Sequence, residues 1–367
     1  MQKIKIIISG GGTGGHIYPA ISIANALKEK QSDIEILFVG ADGKMEMEKV
    51  PAAGYDIIGL PIRGLQRNFS KENLKFFSRL FKSLRKAKKI IKDFNPNAVV
   101  GVGGYASGPL LHAANKMGIP SLIQEQNSYA GITNKILSKK ANKICVAYQG
   151  MERFFPANKI LLTGNPVRKD LAGLDDLKSK AQLYFDLDPN KKTLLVIGGS
   201  LGARTINHSI IENIKEFKNK NVQVIWQCGK FYHKEMKASL ENANIDNVQV
   251  FDFLSRMDFA YAAADLVISR AGAGTISELC LVAKACILVP SPNVSEDHQT
   301  KNAMALVNQN AAIMIPDIEA KERLVNESLT ILNNDSNLDK LRENIALLAK
   351  PNAADDIAEE ILKMIKQ

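Results

Sequence analysis

Short apolar runs rich in Val, Ile and Leu recur at residues 4–8, 34–39, 57–60, 97–102, 120–124 and 143–147. They recur again at 193–197, 222–228, 248–251, 266–269 and 285–289. None alternates strictly between apolar and polar, so each reads as a strand covered on both faces, as in a parallel sheet. The stretches between them are long enough for the helical crossovers that parallel strands need. Two runs, 4–8 and 193–197, pass directly into glycine-rich turns and then helices. This repeated strand–turn–helix opening predicts two doubly wound, Rossmann-like α/β domains. The expected boundaries are 1–164 and 165–349, with a hinge over 162–168 where Gly164 and Pro166 interrupt regular structure. A C-terminal segment, 350–367, carries an amphipathic helix expected to cross back onto the first domain.

The turns hold the candidate chemistry. Gly10, Gly11, Gly12, Gly14 and Gly15 leave a turn almost without side chains, and a helix is expected from about Pro19 to Lys30. Bare backbone amides beside a helix N-terminus make an anion site. His16 stands at its mouth, and an imidazole with an ordinary pKa of about 6.5 suits a general base. Further glycine turns follow at 101–109, 198–203 and 270–275, and a polar cluster, Glu125 to Ser128, ends the strand at 120–124. Gly10, Gly12 and Gly15 also fit a dinucleotide fingerprint, but an NAD-dependent oxidoreductase would leave the other three turns unexplained. There is no phosphate-binding G-x-x-x-x-G-K-[ST] motif, and Ser200 lacks the spacing of a nucleophile elbow. Asp186-Leu187-Asp188 precedes Pro189-Asn190 and reads as a turn, so no metal site is expected. What remains is a cleft between two domains, suited to a diphosphate ligand and a diphosphate leaving group.

Composition adjusts this picture in three ways. No apolar run reaches the roughly 18 residues of a membrane-spanning helix, and residues 1–3 lead straight into a strand, so no leader is expected. The four cysteines show no C-x-x-C spacing and read as buried thiols of a reduced, cytosolic protein. The net charge of +10 calls for an anionic partner, and it is concentrated. Residues 63–92 hold eleven Lys or Arg against one acid, Glu72. On a helix, Leu74, Phe77, Phe81, Leu84 and Ile91 share the stripe expected to face the core, with Phe76 and Leu80 at its border. Lys75, Arg79, Lys82, Lys86 and Lys89 lie opposite, as either a solvated face or a patch for an anionic membrane. No RNA-binding signature accompanies the block, so nucleic acid is not expected as a partner.

Taken in order, the motifs form a longer pattern. Gly10 to His16, Gly103 to Pro109, Glu125-Gln126-Asn127 with Thr133-Asn134-Lys135, and Gly164 to Arg168 fall in the first part. Gly198 to Ala203, Arg270 to Thr275 with Glu278, and His298-Gln299 with Asn302-Ala303 complete it. This series resembles the MurG family, the family 28 UDP-N-acetylglucosamine transferases that convert lipid I to lipid II in peptidoglycan synthesis. The resemblance implies a GT-B fold, inversion at the sugar carbon, no cofactor, and peripheral work on the cytoplasmic face of the inner membrane. It implies that Arg168, Ser200, Leu254, Met257, Arg270, Gly272, Ala273, Thr275, Glu278 and Gln299 bind UDP-N-acetylglucosamine. Thr13, Gly14, Gly15 and Asn127 would border that donor from the first domain. His16 would act as the base, and Gly12, Gly103, Gly104, Tyr105, Glu125 and Asn134 would hold lipid I. His298 stands where some members carry Gln. A UDP-N-acetylglucosamine 2-epimerase or a glycolipid synthase would share the donor turns without the Gly103–Pro109 and Glu125–Asn127 motifs.

Overall fold

The structure, a computed structural model, describes residues 3–64, 71–168, 171, 173–199, 201–218 and 220–366, with backbone alone at 71–75, 175 and 295. The chain divides into two compact units, residues 1–168 with 352–367, and residues 169–351. The first is built on a parallel sheet of β1 (Lys5–Ser9), β2 (Glu35–Ala41), β3 (Asp56–Leu60), β4 (Ala98–Gly101), β5 (Ser121–Glu125), β6 (Lys143–Val146) and β7 (Ile160–Leu162). Their spatial order is β3-β2-β1-β4-β5-β6-β7. The apolar runs explain the two covered faces. Ile7 faces a layer that includes the helices Lys71–Phe94 and Ser107–Lys116. Ile6 and Ile8 face the opposite layer, made by the helices Gly14–Lys30 and Ala353–Lys366. In that last helix Ile357 and Ile361 are fully buried, worth about 1.5–3 kcal/mol each. Lys30 pairs with its Glu359 at 2.9 Å.

The second unit repeats the plan with β8 (Lys192–Ile197), β9 (Val222–Gln227), β10 (Val248–Phe251), β11 (Leu266–Ser269), β12 (Cys286–Leu288) and β13 (Ile313–Met314). Its order is β10-β9-β8-β11-β12-β13. In both sheets the strand order reverses beside the first strand, between β1 and β4 and between β8 and β11. A doubly wound sheet opens a crevice at the carboxyl ends of such strands. All four glycine turns follow these four strands.

Two local expectations need correcting. The first helix starts at Gly14 and carries Pro19 inside it. Thr13 caps it in an extended conformation, and its carbonyl accepts from the amides of His16 and Ile17 at 3.1 and 3.2 Å. Pro19 withdraws one amide from the ladder and crowds the carbonyl one turn before it, yet the helix continues through to Lys30. The basic helix is rotated from the expected face. Ala87, Ile90 and Ile91 are buried with Ser83, and Phe76 and Leu80 pack on the core. Phe77 and Phe81 are 71% and 57% exposed. Ser83 and Ala87 are small, which lets the neighbouring elements approach on that side, whereas counting large apolar residues favours the other stripe.

All four thiols are buried and unpaired in disulfides. Burial pushes Cys145 and Cys280 up to about 12 and Cys228 up to about 11, and raises Cys286 as well. Titration of the native protein with a thiol-specific chromogenic disulfide at pH 8 should therefore count no fast-reacting thiol, and four after denaturation. A fast-reacting thiol in the native protein would contradict this packing.

Candidate active site

The first two glycine turns interlock. Because β1 and β4 are neighbours, their C-terminal turns meet. Gly103 and Gly104 hold φ of +100° and +87°, a region that penalises side chains. A Cβ on Gly103 would lie 2.6 Å from Cδ2 of His16, and one on Gly104 would collide with the Gly11 carbonyl. Ser107, fully buried, ties the turns by sharing its one hydroxyl proton between the carbonyls of Gly103 at 2.8 Å and Ser9 at 3.0 Å. His16 lies on the first turn of its helix, half-buried, with Nδ1 3.0 Å from the Gly11 carbonyl oxygen. That oxygen can only accept, so the contact calls for a proton on Nδ1, which in the neutral ring leaves the lone pair on Nε2. The helix start has no acid in its first turn and no side-chain cap, which leaves the amides of Gly14 and Gly15 for an anion.

A residue the sequence motifs do not reveal holds this turn in place. Glu46, 1% exposed, accepts from the Gly12 amide at 2.8 Å and from the Ala41 amide at 3.0 Å. One carboxylate thus joins the first glycine turn to the end of β2. Gly11 and Gly40 are packed against it so closely that a Cβ on either would strike its side chain. In the sequence it is one of two Glu, with Glu48, shortly after an apolar strand, and nothing marks it out from its neighbour.

Glu125, Asn127 and Asn134 come together, with Glu125 as the hub. Its Oε1 accepts from the Asn127 amide at 3.1 Å and from Asn127 Nδ2 at 3.3 Å. Its Oε2 accepts from the Gly131 amide at 3.1 Å and from Asn134 Nδ2 at 2.8 Å. Four donors on one buried carboxyl group offset the cost of taking its oxygens out of water. The cluster fixes the loop over 126–134, and Gln126 ties it to the Val102 carbonyl at 2.6 Å. Tyr105 is half-exposed and covers Gly64. Beside it Phe76, Leu80, His112 and Ile136 help line an apolar cavity of about 350 Å³. Burial, with Lys116 and Lys140 nearby, holds His112 below the usual histidine range.

In the second unit the expected donor residues follow the C-terminal ends of several strands, β8, β10, β11 and β12. Gly199 and Gly202 close the third turn, with the Gly202 amide donating to the Gly199 carbonyl at 3.0 Å. Ser200 lies outside the described residues. Leu254 is buried, and Met257 starts the helix Met257–Ala263. Gly272 caps the helix Ala273–Leu281, which has no acid in its first turn. Glu278 stands in the second turn of that helix, where it accepts from the hydroxyl of the fully buried Tyr261 at 3.0 Å. The Arg270 guanidinium pairs with Asp317 and donates to the carbonyls of Val289 and Pro290 at 3.1 and 3.2 Å. That arginine braces the turn from behind. Gln299 accepts from the Ser291 amide at 2.8 Å, and Asn302 donates to the Ala271 carbonyl at 3.4 Å. Arg168 is exposed at the end of the first unit's main segment. Among the described residues no three His, Cys, Asp or Glu side chains cluster as a metal site.

The chain and its fold match known proteins. The glycosyltransferase family 28 N-terminal domain matches residues 6–146, and the family 28 C-terminal domain matches 193–361. The chain is 58% identical to the UDP-N-acetylglucosamine--N-acetylmuramyl-(pentapeptide) pyrophosphoryl-undecaprenol N-acetylglucosamine transferase of Parabacteroides distasonis, over 100% of this chain and 99% of that one. It is 56% identical to the protein of the same name from Bacteroides fragilis, over 100% and 97%. The crystal structure of Acinetobacter baumannii MurG superposes with a TM-score of 0.81 at 29% identity, covering 99% of this chain and all of that one. A UDP-N-acetylglucosamine 2-epimerase from Neisseria meningitidis superposes with a TM-score of 0.66 at 17% identity, covering 99% and 100%, and shares the fold alone.

The Glu46 brace makes a direct prediction. Glu46→Gln keeps one acceptor but turns an amide group toward a backbone amide, leaving one buried donor unpaired. The substitution should lower stability by about 1–3 kcal/mol in denaturant unfolding. Wild-type stability in this variant would remove the carboxylate from its bracing role.

Proposed function

Because the chain belongs to glycosyltransferase family 28, with its GT-B fold, we propose that it moves N-acetylglucosamine from UDP-N-acetylglucosamine to the muramyl 4-hydroxyl of lipid I, giving lipid II. The observation that carries this reading is the 58% identity to a transferase of that name over the whole chain. The residues supply a coherent chemistry. His16 Nε2 takes the proton from the attacking hydroxyl, and the hydroxyl oxygen forms the new bond to the anomeric carbon as the bond to the UDP oxygen breaks. Attack opposite the leaving group inverts that carbon. Negative charge grows on the departing diphosphate, where turn amides and helix N-termini in the second unit stabilise it without reorganisation. Glu278 holds the ribose hydroxyls, with Leu254 and Met257 along the uracil. The interlocked turns around Gly12, Gly103 and Gly104 receive the acceptor's diphosphate, and the Glu125–Asn127–Asn134 cluster shapes the loop beside it. Gly14 and Gly15 also favour an anion.

The acceptor's polyprenyl tail stays in a bilayer, so the enzyme docks there as a peripheral protein. Among the described residues no helix is long and apolar enough to cross a membrane. Support for a docking face comes from the helix Lys71–Phe94, where Phe77 and Phe81 are exposed on one stripe with Arg85, Lys88 and Lys92. Arg85 lies 4.6 Å over the Phe81 ring. Ile132 and Ile136, both exposed, add apolar surface on the helix Ile132–Ser138. Basic residues around aromatics suit an anionic interface. The side chain of Lys75 is outside the described residues, and Arg79 is half-buried, which moves the expected contact toward Phe81 and Arg85.

Two measurements test this reading. With radiolabelled UDP-N-acetylglucosamine and a lipid I analogue, His16→Ala should lower kcat by roughly 10²–10⁴ while UDP affinity stays near wild type. Full turnover would exclude His16 as the base. In vesicle sedimentation, replacing Arg85, Lys88 and Lys92 by Gln should cost about 1 kcal/mol per residue on anionic vesicles at low salt. Activity on a water-soluble acceptor should be retained. Equal partitioning of variant and wild type would leave the basic face as solvated surface.

A further inference from the structure

β9 lies between β8 and β10, and in register Gln227 pairs with Ile197 on one side and Phe251 on the other. Each neighbouring strand then leaves the sheet toward a different part of the donor site. After Ile197 comes the glycine turn at Gly199, and after Phe251 comes the segment ending at Leu254 and Met257. The Gln227 side chain, 5% exposed, reaches both. Its Nε2 donates to the Gly199 carbonyl at 3.0 Å, and its Oε1 accepts from the Leu254 amide at 3.2 Å. The two bonds fix the amide's orientation, since one partner can only accept and the other can only donate. The Gly199 carbonyl also accepts from Gly202, so the bond from Gln227 falls on the group that closes the turn. No other side chain of this length both donates and accepts without charge. Asn is one methylene shorter, Glu cannot donate, and Leu or Met can do neither.

We infer that Gln227 is a positioning residue that couples the diphosphate turn to the base-edge segment, so that the site selects nucleosides carrying a diphosphate. The inference rests on the donor reading of the second unit given above. With one amide spanning both parts, ordering the base edge by a nucleoside also orders the turn that receives its phosphates. Binding the second part is thereby less costly in entropy, which is positive coupling within one ligand. Uridine engages one end of this arrangement only, whereas UDP engages both.

Calorimetric titration of wild type, Gln227→Met and Gln227→Leu with uridine, UMP and UDP tests the coupling. Both variants should bind UDP about 5–30-fold more weakly, a loss of one or two neutral hydrogen bonds. Uridine affinity should change by about 2-fold or less. In turnover, the donor KM should rise by a similar factor while kcat at saturating donor stays within about 3-fold. Amide exchange at Leu254 should quicken in both variants. Thermal melting under the same conditions reports a fold defect, which would weaken all ligands by one common factor and overturn the proposal. Unchanged UDP affinity would overturn it too. If wild type itself fails to bind UDP, the donor reading fails, and this inference falls with it.

Discussion

The close approach of two main-chain turns at the ends of β1 and β4 is the constraint on which the first unit depends. Parallel strands that diverge on opposite sides leave a crevice, but a crevice becomes a binding site only if backbone lines it. Here the turns touch so closely that a methyl group at Gly104 would occupy the Gly11 carbonyl, and one at Gly103 would enter the imidazole of His16. The same contact orders the histidine, since the Gly11 carbonyl that faces Gly104 also calls for the proton on Nδ1. The packing of the two turns and the setting of the imidazole therefore come from a single piece of backbone.

Glycine turns are entropically expensive and do not stay in place unaided. Each unit meets this with a buried polar side chain associated with the strand beside its first strand. In the first unit Glu46, a few residues past β2, holds Gly12 and Ala41. In the second, Gln227 at the end of β9 holds Gly199 and Leu254. The chemical difference follows from what is held. Two amide donors call for a carboxylate, while one donor and one carbonyl call for a carboxamide. Arg270 extends the pattern, since its guanidinium braces its turn through Asp317 and main-chain carbonyls.

Much of this was legible in the sequence because it is written in local patterns. The apolar runs identify the strands of both sheets, the glycine clusters identify the turns, and His16 stands out by its place in one of them. The short helix Glu46–Ala52 and the strands β7 and β13 carry too little periodicity to be read. Glu46 and Gln227 are invisible for a different reason. Their partners are main-chain groups brought near by strand order, and nothing in the neighbouring residues announces them. The basic helix shows a third limit. Its two apolar stripes overlap at Leu84 and Ile91, and the choice between them was made by Ser83 and Ala87, whose value lies in being small. The place of Glu278 on a helix is legible, but its contact with Tyr261 again crosses between elements.

The touching turns also bear on how such a site could change under selection. Escape from an inhibitor commonly proceeds by altering a side chain at the point of contact. A compound that met the main chain at Gly104, partly exposed beside the buried Gly11 and Gly103, would face a surface with no side chain to alter. Any side chain added at Gly103 or Gly104 would collide with His16 or with the opposite turn before it reached the compound. Resistance at these positions would have to sacrifice the fit of the two turns, and with it the setting of the imidazole.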